Sequence, residues 1–289
     1  MTILPILAGI VAAFGWGLSD YIAGGISRKI GQYKSAVYVL LFSAIVLVFV
    51  FIFTGISTQA SLFILFLAVL SAIPAFLGYF FAYKAFAKGD FSITAPIIGC
   101  YPAVIVIGSV FLLGDKLSAL EIVAIATILL GIILLSTKFS DLKSKKKLIA
   151  AGVGSAILAM IFLGTPGIFS GAYTAIIGFV LLSLIWRAFG AMFGFGLGRL
   201  LKQDVSFPKM KYVGLIAVAG ILDAIGVIAF LYGVAVDSAT LPIIASLAGL
   251  TGAVTVGCAL ILLKEKPEFN QWIGILLAIA GVVLIAYIS

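Results

Sequence analysis

Residues 103–135, AVIVIGSVFLLGDKLSALEIVAIATILLGIILL, and residues 253–285, AVTVGCALILLKEKPEFNQWIGILLAIAGVVLI, are one pattern written twice. Overlaid at a shift of 150 without a gap, they agree at nine of 33 positions: Ala103, Val104, Val106, Leu112, Leu113, Lys116, Ile125, Gly131 and Leu134. Matches are easily reached in apolar sequence, so the punctuation carries more weight. Gly114-Asp115-Lys116 falls on Lys264-Glu265-Lys266, each a charged break between two apolar runs. Upstream, Tyr83 falls near Tyr232 at a shift of 149. An internal repeat fixes architecture before any single residue does, and here it implies two halves of one membrane protein.

Composition agrees. The chain is 64% hydrophobic and 10% charged, where soluble domains run at about 45–50% apolar and about 25% charged. Charges collect in short clusters between long apolar runs, as they do in a chain that lives in lipid. The first apolar run has no basic leading region and continues to Ser27, too long for a secretory signal of about 7–15 apolar residues. It is expected to stay as a membrane helix.

A spanning helix needs about 20 mostly apolar residues. Ten stretches qualify: roughly Ile3–Ser27, Ser35–Gly55, Ser61–Tyr83, Phe91–Leu113, Ser118–Thr137, Leu148–Gly164, Gly171–Gly198, Tyr212–Val236, Ala239–Leu263 and Phe269–Ile288. The expected fold class is therefore an all-α polytopic membrane protein of ten transmembrane helices. KFSDLKSKKK, residues 138–147, is the seam. It divides a five-helix repeat over 1–138 from another over 148–289, with a basic cytoplasmic linker over 139–147. Five is odd, so the second half enters the membrane upside-down. Inverted repeats of this kind are a common plan of secondary transporters, with the binding site near mid-membrane between them.

Loop charge sets the orientation. The loops after helices 1, 3, 5, 7 and 9 hold every one of the 18 Lys and Arg residues except Lys116 and Arg187. Basic loops stay in the cytoplasm, so both termini are expected outside a cell (inner) membrane. The net charge of +8 then reflects orientation in a lipid bilayer and not a nucleic-acid partner. The chain has no histidine, which removes the commonest metal ligand and general base. It has no Gly-rich phosphate loop ending in Lys-Ser/Thr. No cofactor and no metal are expected. Cys100 and Cys258 lie inside apolar runs and read as small core residues.

The sequence resembles the drug/metabolite transporter superfamily in its ten-helix EamA-type branch. The likeness covers the whole chain. It rests on Phe14-Gly15-Trp16-Gly17-Leu18-Ser19-Asp20, on the helix end Tyr83–Asp90, and on Leu112-Leu113-Gly114-Asp115-Lys116-Leu117-Ser118, which is similar to that family's Gly-Glu-Lys/Arg-Leu-Ser connection. The second copy, Lys264-Glu265-Lys266-Pro267, lacks the glycine. The resemblance implies two inverted five-helix repeats, a central cavity lined by helices 1, 3, 4, 6, 8 and 9, and carriage of small metabolites, among which amino acids and their analogues are frequent. The family's usual description places both termini in the cytoplasm; the charge distribution of this chain places them outside.

An ionisable residue deep in a membrane costs about 2.5–3.5 kcal/mol on insertion scales, so three stand out. Asp223 lies 12 residues past Lys211, and Arg187 lies 12 before Arg199. At about 1.5 Å per residue both sit about 18 Å from the cytoplasmic helix ends, so they meet if their helices are neighbours. Such a pair either ties two helices together or receives a charged cargo group, and Asp223 is a candidate carrier of a coupling proton. Trp186-Arg187 has a further reading as an interfacial anchor. Asp20, one turn after Trp16, sets a carboxylate beside an aromatic platform suited to a cation or an amino group; its bland reading is an interface residue.

Tyr101-Pro102 and Gly164-Thr165-Pro166-Gly167 are hinge or cavity candidates, because proline frees a carbonyl that needs a partner in lipid. Tyr83 and Tyr232, at matching places in the repeats, suggest a cavity mouth or gate, or else aromatic belts. Ser246, Thr251 and Thr255 form one stripe on helix 9, or bond their own backbone. Gly9, Ala13 and Gly17 read as close helix packing.

Together these residues suggest a small-molecule cargo bound by Trp16, Asp20, Tyr83, Tyr101, Arg187, Asp223, Tyr232, Ser246 and Thr251. The leading function is a secondary transporter of an amino acid or related amphiphile, working by alternating access. A sugar or nucleotide-sugar carrier ranks second. An intramembrane aspartyl enzyme ranks lower, since neither Asp20 nor Asp223 sits in a Gly-x-Gly-Asp stretch. A passive channel completes the alternatives.

Overall fold

A computed structural model describes residues 3–54, 58, 60–114, 116–136, 139, 152–262 and 268–288. Every regular element among them is helical. The first three spans are α1 (Ile3–Ile30), α2 (Gln32–Thr54) and α3 (Leu62–Lys88). The fourth is broken into α4 (Phe91–Gly99) and α5 (Tyr101–Gly108), prolonged by a π turn over Ser109–Leu113. The fifth is α6 (Ala119–Ser136).

The second half repeats this with more breaks. Its first span is α7 (Val153–Ile168) and α8 (Ser170–Ile177), bent by 43°. Then come α9 (Phe179–Leu200), α10 (Met210–Val236), α11 (Leu241–Ala248) with α12 (Thr251–Leu262), and α13 (Phe269–Ile288). Among the described residues, seven stretches are long and apolar enough to cross a membrane, and the α7–α8 pair makes an eighth. Apolar α6 and α13 are shorter and pack on one another. The basic linker expected over 139–147 lies outside the described residues apart from Phe139, as do Asp115 and Lys264-Glu265-Lys266.

Packing has the symmetry that the repeat requires. α1 runs along α10, and its counterpart α7 runs along α3. α1 also packs on α11 and α12, and α7 on α4 and α5. α2 meets α9, and α6 meets α13, each helix with its own counterpart. Exchanging the halves returns these same pairs. With five spans in each half, the two are inverted.

Local chemistry repeats as well. At the start of α6, the Glu121 carboxylate accepts the Ser118 backbone N–H at 2.8 Å while Ser118 Oγ accepts the Glu121 N–H at 3.2 Å. This reciprocal box satisfies two donors that the first helical turn leaves without partners. One repeat later, Gln271 Oε1 accepts the Glu268 N–H at 2.8 Å at the start of α13.

The fourth and ninth spans cross at their breaks. Pro102 cannot donate a backbone hydrogen bond, and the fourth span interrupts at Cys100; the ninth interrupts at Gly249-Leu250, 150 residues on. A Cβ on Gly249 would lie 2.8 Å from Gly99 O and 2.6 Å from Pro102 Cγ. Bare backbone is what lets these spans approach so closely.

The expected seventh helix, Gly171–Gly198, is corrected. Gly178 adopts φ 87° and ψ 148°, a region essentially reserved for glycine. The span therefore starts afresh at Phe179. This places Trp186-Arg187 well inside α9, with Trp186 5% and Arg187 3% exposed. The interfacial-anchor alternative falls with it.

On the basic face the α9–α10 connection is tied to α2. Lys34 Nζ lies 2.5 Å from Asp204 Oδ2 and 3.0 Å from Ser206 Oγ, and Tyr38 donates to Val205 O at 3.1 Å. Hydrogen bonds from Lys34, then from Ser206, hold the Asp204 carboxyl down at about 2. A depressed carboxyl contributes stability above its unfolded value near 4, and loses it as pH falls through about 2. Asp204 is largely exposed, so Asp204→Asn should cost less than about 1 kcal/mol at pH 7. Its melting temperature should match the wild type's at pH 2.

Candidate functional site

Where the halves face each other there is a cavity. It draws on Trp16 and Asp20 of α1, Tyr79 of α3, Tyr101 of α5, Trp186 and Arg187 of α9, Phe230 of α10 and Thr251 of α12, with Pro166-Gly167 of α7. The seventh span thus joins the six that the resemblance implied. The breaks deliver Tyr101 and Thr251 here: each begins the helix that follows its interruption.

Arg187 and Asp223 meet. Arg187 Nε lies 2.6 Å from Asp223 Oδ2, and Nη2 lies 3.1 Å from Oδ1. Tyr79 closes the triad: its hydroxyl donates to Asp223 Oδ1 and accepts from Arg187 Nη2 at 2.8 Å. The guanidinium carbon stands 5.1 Å from the Tyr79 ring centre, within cation–π range. Asp223 is fully buried. The fork-to-fork geometry is the strong form of a charge-assisted pair, and it spends both carboxylate oxygens on protein partners. Trp186 is fixed beside it, Nε1 donating to Ser71 Oγ at 2.8 Å. Sequence reading missed Tyr79 and Ser71. The four-residue spacing of Tyr79 and Tyr83 on α3 was the available signal.

Asp20 differs. It is partly buried, lines the cavity, and makes no hydrogen bond or ion pair with the described residues. It lies within electrostatic reach of Arg187, Asp223, Tyr83 and Tyr101. One turn away is Trp16, whose ring centre is 6.2 Å from that of Tyr101 and 5.6 Å from that of Phe230. Three buried polar atoms of cavity-lining residues have no hydrogen-bond partner among the described residues: Trp16 Nε1, Tyr101 OH and Thr251 Oγ1. Buried polar groups are nearly always satisfied, so this concentration is unusual.

Two expected site residues are elsewhere. Tyr232 is 37% exposed and packs edge-on to Phe179 at 5.4 Å; the equivalence with buried Tyr83 does not extend to environment. Ser246 donates to Pro242 O of its own helix at 2.8 Å, and the break at Gly249-Leu250 takes it off the Thr251 stripe. Thr255 donates to Gly17 O at 3.1 Å and Thr251 O at 2.8 Å, a tie between α12 and α1.

Towards the basic face, outside the cavity lining, lies a cluster of aromatic rings. Phe86 and Phe91 stack at 4.8 Å, with Tyr83 behind them at 6.5 Å from Phe86. Arg28 covers this cluster: it donates to Phe86 O at 3.0 Å and Gly89 O at 2.9 Å, with its guanidinium 5.3 Å from the Phe91 centre.

An inverted pair of five-helix bundles, with broken spans crossing beside a largely apolar hollow that holds Asp20 and Arg187, defines a polytopic membrane protein of the transporter class. The chain belongs to the EamA-like transporter family, whose profile matches twice, over residues 3–137 and 150–287, and it is accordingly a membrane transporter of the drug/metabolite superfamily. The fold is also that of a solved structure described only as "Crystal structure of protein". That likeness has a TM-score of 0.71 at 14% identity, covering 100% of this chain and 98% of the other. No protein of curated function matches the sequence.

Proposed function

We propose that this protein is a secondary transporter of a small metabolite, an amino acid or a related amphiphile bearing an amino group, working by alternating access in a cell membrane. The carrying observation is Asp20, a carboxylate without a partner among the described residues, facing a cavity between the halves beside hydroxyl and indole groups that also lack one. Arg187, Asp223 and Tyr79 hold α9, α10 and α3 together around that cavity. Trp16, Tyr101 and Thr251 supply the remaining contacts to cargo. The Phe86–Phe91 stack beneath Arg28 closes the basic end.

Asp223 is committed to Arg187 and Tyr79, which makes Asp20 the better carrier for a coupling proton. Arg187 of α9, Asp223 of α10, Tyr83 of α3 and Tyr101 of α5 face it. A nucleotide-sugar cargo is disfavoured, since the cavity's basic residue is already paired. Bond-breaking chemistry is disfavoured for a related reason: Asp20 has no second free carboxylate to work with.

In liposomes the purified protein should carry a member of an amine and amino-acid panel faster than empty vesicles do. No flux across the panel, with or without a pH gradient, counts against transport. Tyr101→Phe removes a hydroxyl with no hydrogen-bond partner among the described residues, so it should change stability by less than about 0.5 kcal/mol. It should still weaken cargo affinity severalfold. Equal loss of stability and affinity would assign the hydroxyl to the scaffold.

Both termini lie outside on this reading, because Arg28, Lys29, Lys34, Lys84, Lys88, Arg199, Lys202, Lys209 and Lys211 gather at one end of the bundle. A cysteine at Gln203 should escape a membrane-impermeant thiol reagent in intact cells and react after lysis. A cysteine at Thr58 should react in intact cells. The reverse pattern inverts the orientation.

A further inference from the structure

We infer that the preferred cargo is a small organic monocation: an amine with a flat, largely apolar body and a hydrogen-bond acceptor, and not a zwitterion. The inference rests on the transporter reading and narrows it. It follows from the charge the cavity leaves over. Arg187 and Asp223 cancel through two hydrogen bonds at 2.6 and 3.1 Å. Asp20 remains, with no basic side chain paired to it, so the empty cavity carries one unbalanced negative charge when Asp20 is ionised.

Net charge enclosed away from water is costly. A bound monocation brings the enclosed sum to zero. A zwitterion leaves it negative and adds a carboxylate whose natural partner, the Arg187 fork, is occupied. An anion makes it worse.

The walls argue for the same class. Trp16, Tyr101 and Phe230 pack into one aromatic wall a turn from Asp20, the Trp16 ring centre 6.2 Å from that of Tyr101 and 5.6 Å from that of Phe230. Aromatic faces attract a desolvated cation, and tryptophan does so best. Trp16 Nε1 is a donor only and has no acceptor among the described residues, which suits a cargo that brings one. Tyr101 OH and Thr251 Oγ1, both unpartnered, serve the same polar group. Tyr101 is 5% and Thr251 3% exposed, so neither is left open for bulk water to satisfy.

The test uses three solutes of one body and different charge: tyramine, tyrosine and tyrosol. Binding to the purified full chain in detergent is measured by calorimetry, and flux is measured in liposomes. Tyramine should bind at least tenfold more tightly than tyrosine or tyrosol. Asp20→Asn, checked for an unchanged elution profile, should erase that preference. Tyrosine binding as well as tyramine, no binding by any of the three, or unaltered tyramine affinity in Asp20→Asn would overturn the inference. The wild-type comparison decides the matter even if the variant fails to fold. Tyramine bound but not moved would uphold the cargo class and overturn transport. Tyrosine moved with tyramine ignored would do the opposite.

Discussion

Arg187→Ala should yield little folded protein. It removes both hydrogen bonds to Asp223 and the one to Tyr79, leaving a fully buried carboxylate without its counter-charge. Breaking a buried ion pair from one side costs about 3–5 kcal/mol, a large part of any domain's stability. Asp223→Ala should be as damaging, because it strands the guanidinium. Exchanging both for apolar residues, Arg187→Met with Asp223→Leu, should recover much of the loss, since neither desolvated charge then remains. The measurement is the monodisperse fraction on size exclusion together with the melting temperature in detergent. A double variant as damaged as the singles would contradict the pairing account. So would an Arg187→Ala protein that folds normally and fails only in flux, because that result makes Arg187 a cargo ligand.

Gly249→Leu should be the other severe substitution. A single Cβ there already approaches Gly99 O to 2.8 Å and Pro102 Cγ to 2.6 Å. Those are backbone and a rigid ring, so neither yields by a change of rotamer. Overpacking in a tight core typically costs about 1–3 kcal/mol, and a branched side chain at a backbone crossing belongs at or above the upper end. Gly257→Leu is the matched control. It lies on the same span, and a Cβ there meets nothing within 4 Å. The control should fold as the wild type does; equal loss at both positions would mean that the crossing is not the cause.

Much of this architecture was legible in residues 103–135 and 253–285. Apolar length and loop charge report directly on the bilayer, so ten spans and a repeat shift of 150 could be read without coordinates. The shift also maps Gly99 on Gly249, yet nothing in an apolar string says that two backbones touch. The Gly178 break was hidden for a similar reason. A glycine among Ile177 and Phe179 looks like packing until its φ is known.

At the site, burial and depth brought Arg187 and Asp223 together, because a charge in lipid needs a partner and both lie 12 residues from a basic helix end. Tyr79 was overlooked since a tyrosine carries no charge to betray it. Tyr232 and Ser246 were included by sequence position alone, and position does not fix which face a side chain takes. The free state of Asp20 is a property of its neighbours and could only be seen once they were placed.

Counterflow bears most directly on the central claim that the two halves open the Asp20 cavity to each side in turn. Liposomes holding this protein and preloaded with an unlabelled solute from the amine and amino-acid panel should take up that solute in labelled form faster than unloaded ones. The uptake should saturate, and Asp20→Asn should abolish it. Uptake that rises linearly with concentration and ignores preloading would contradict alternating access.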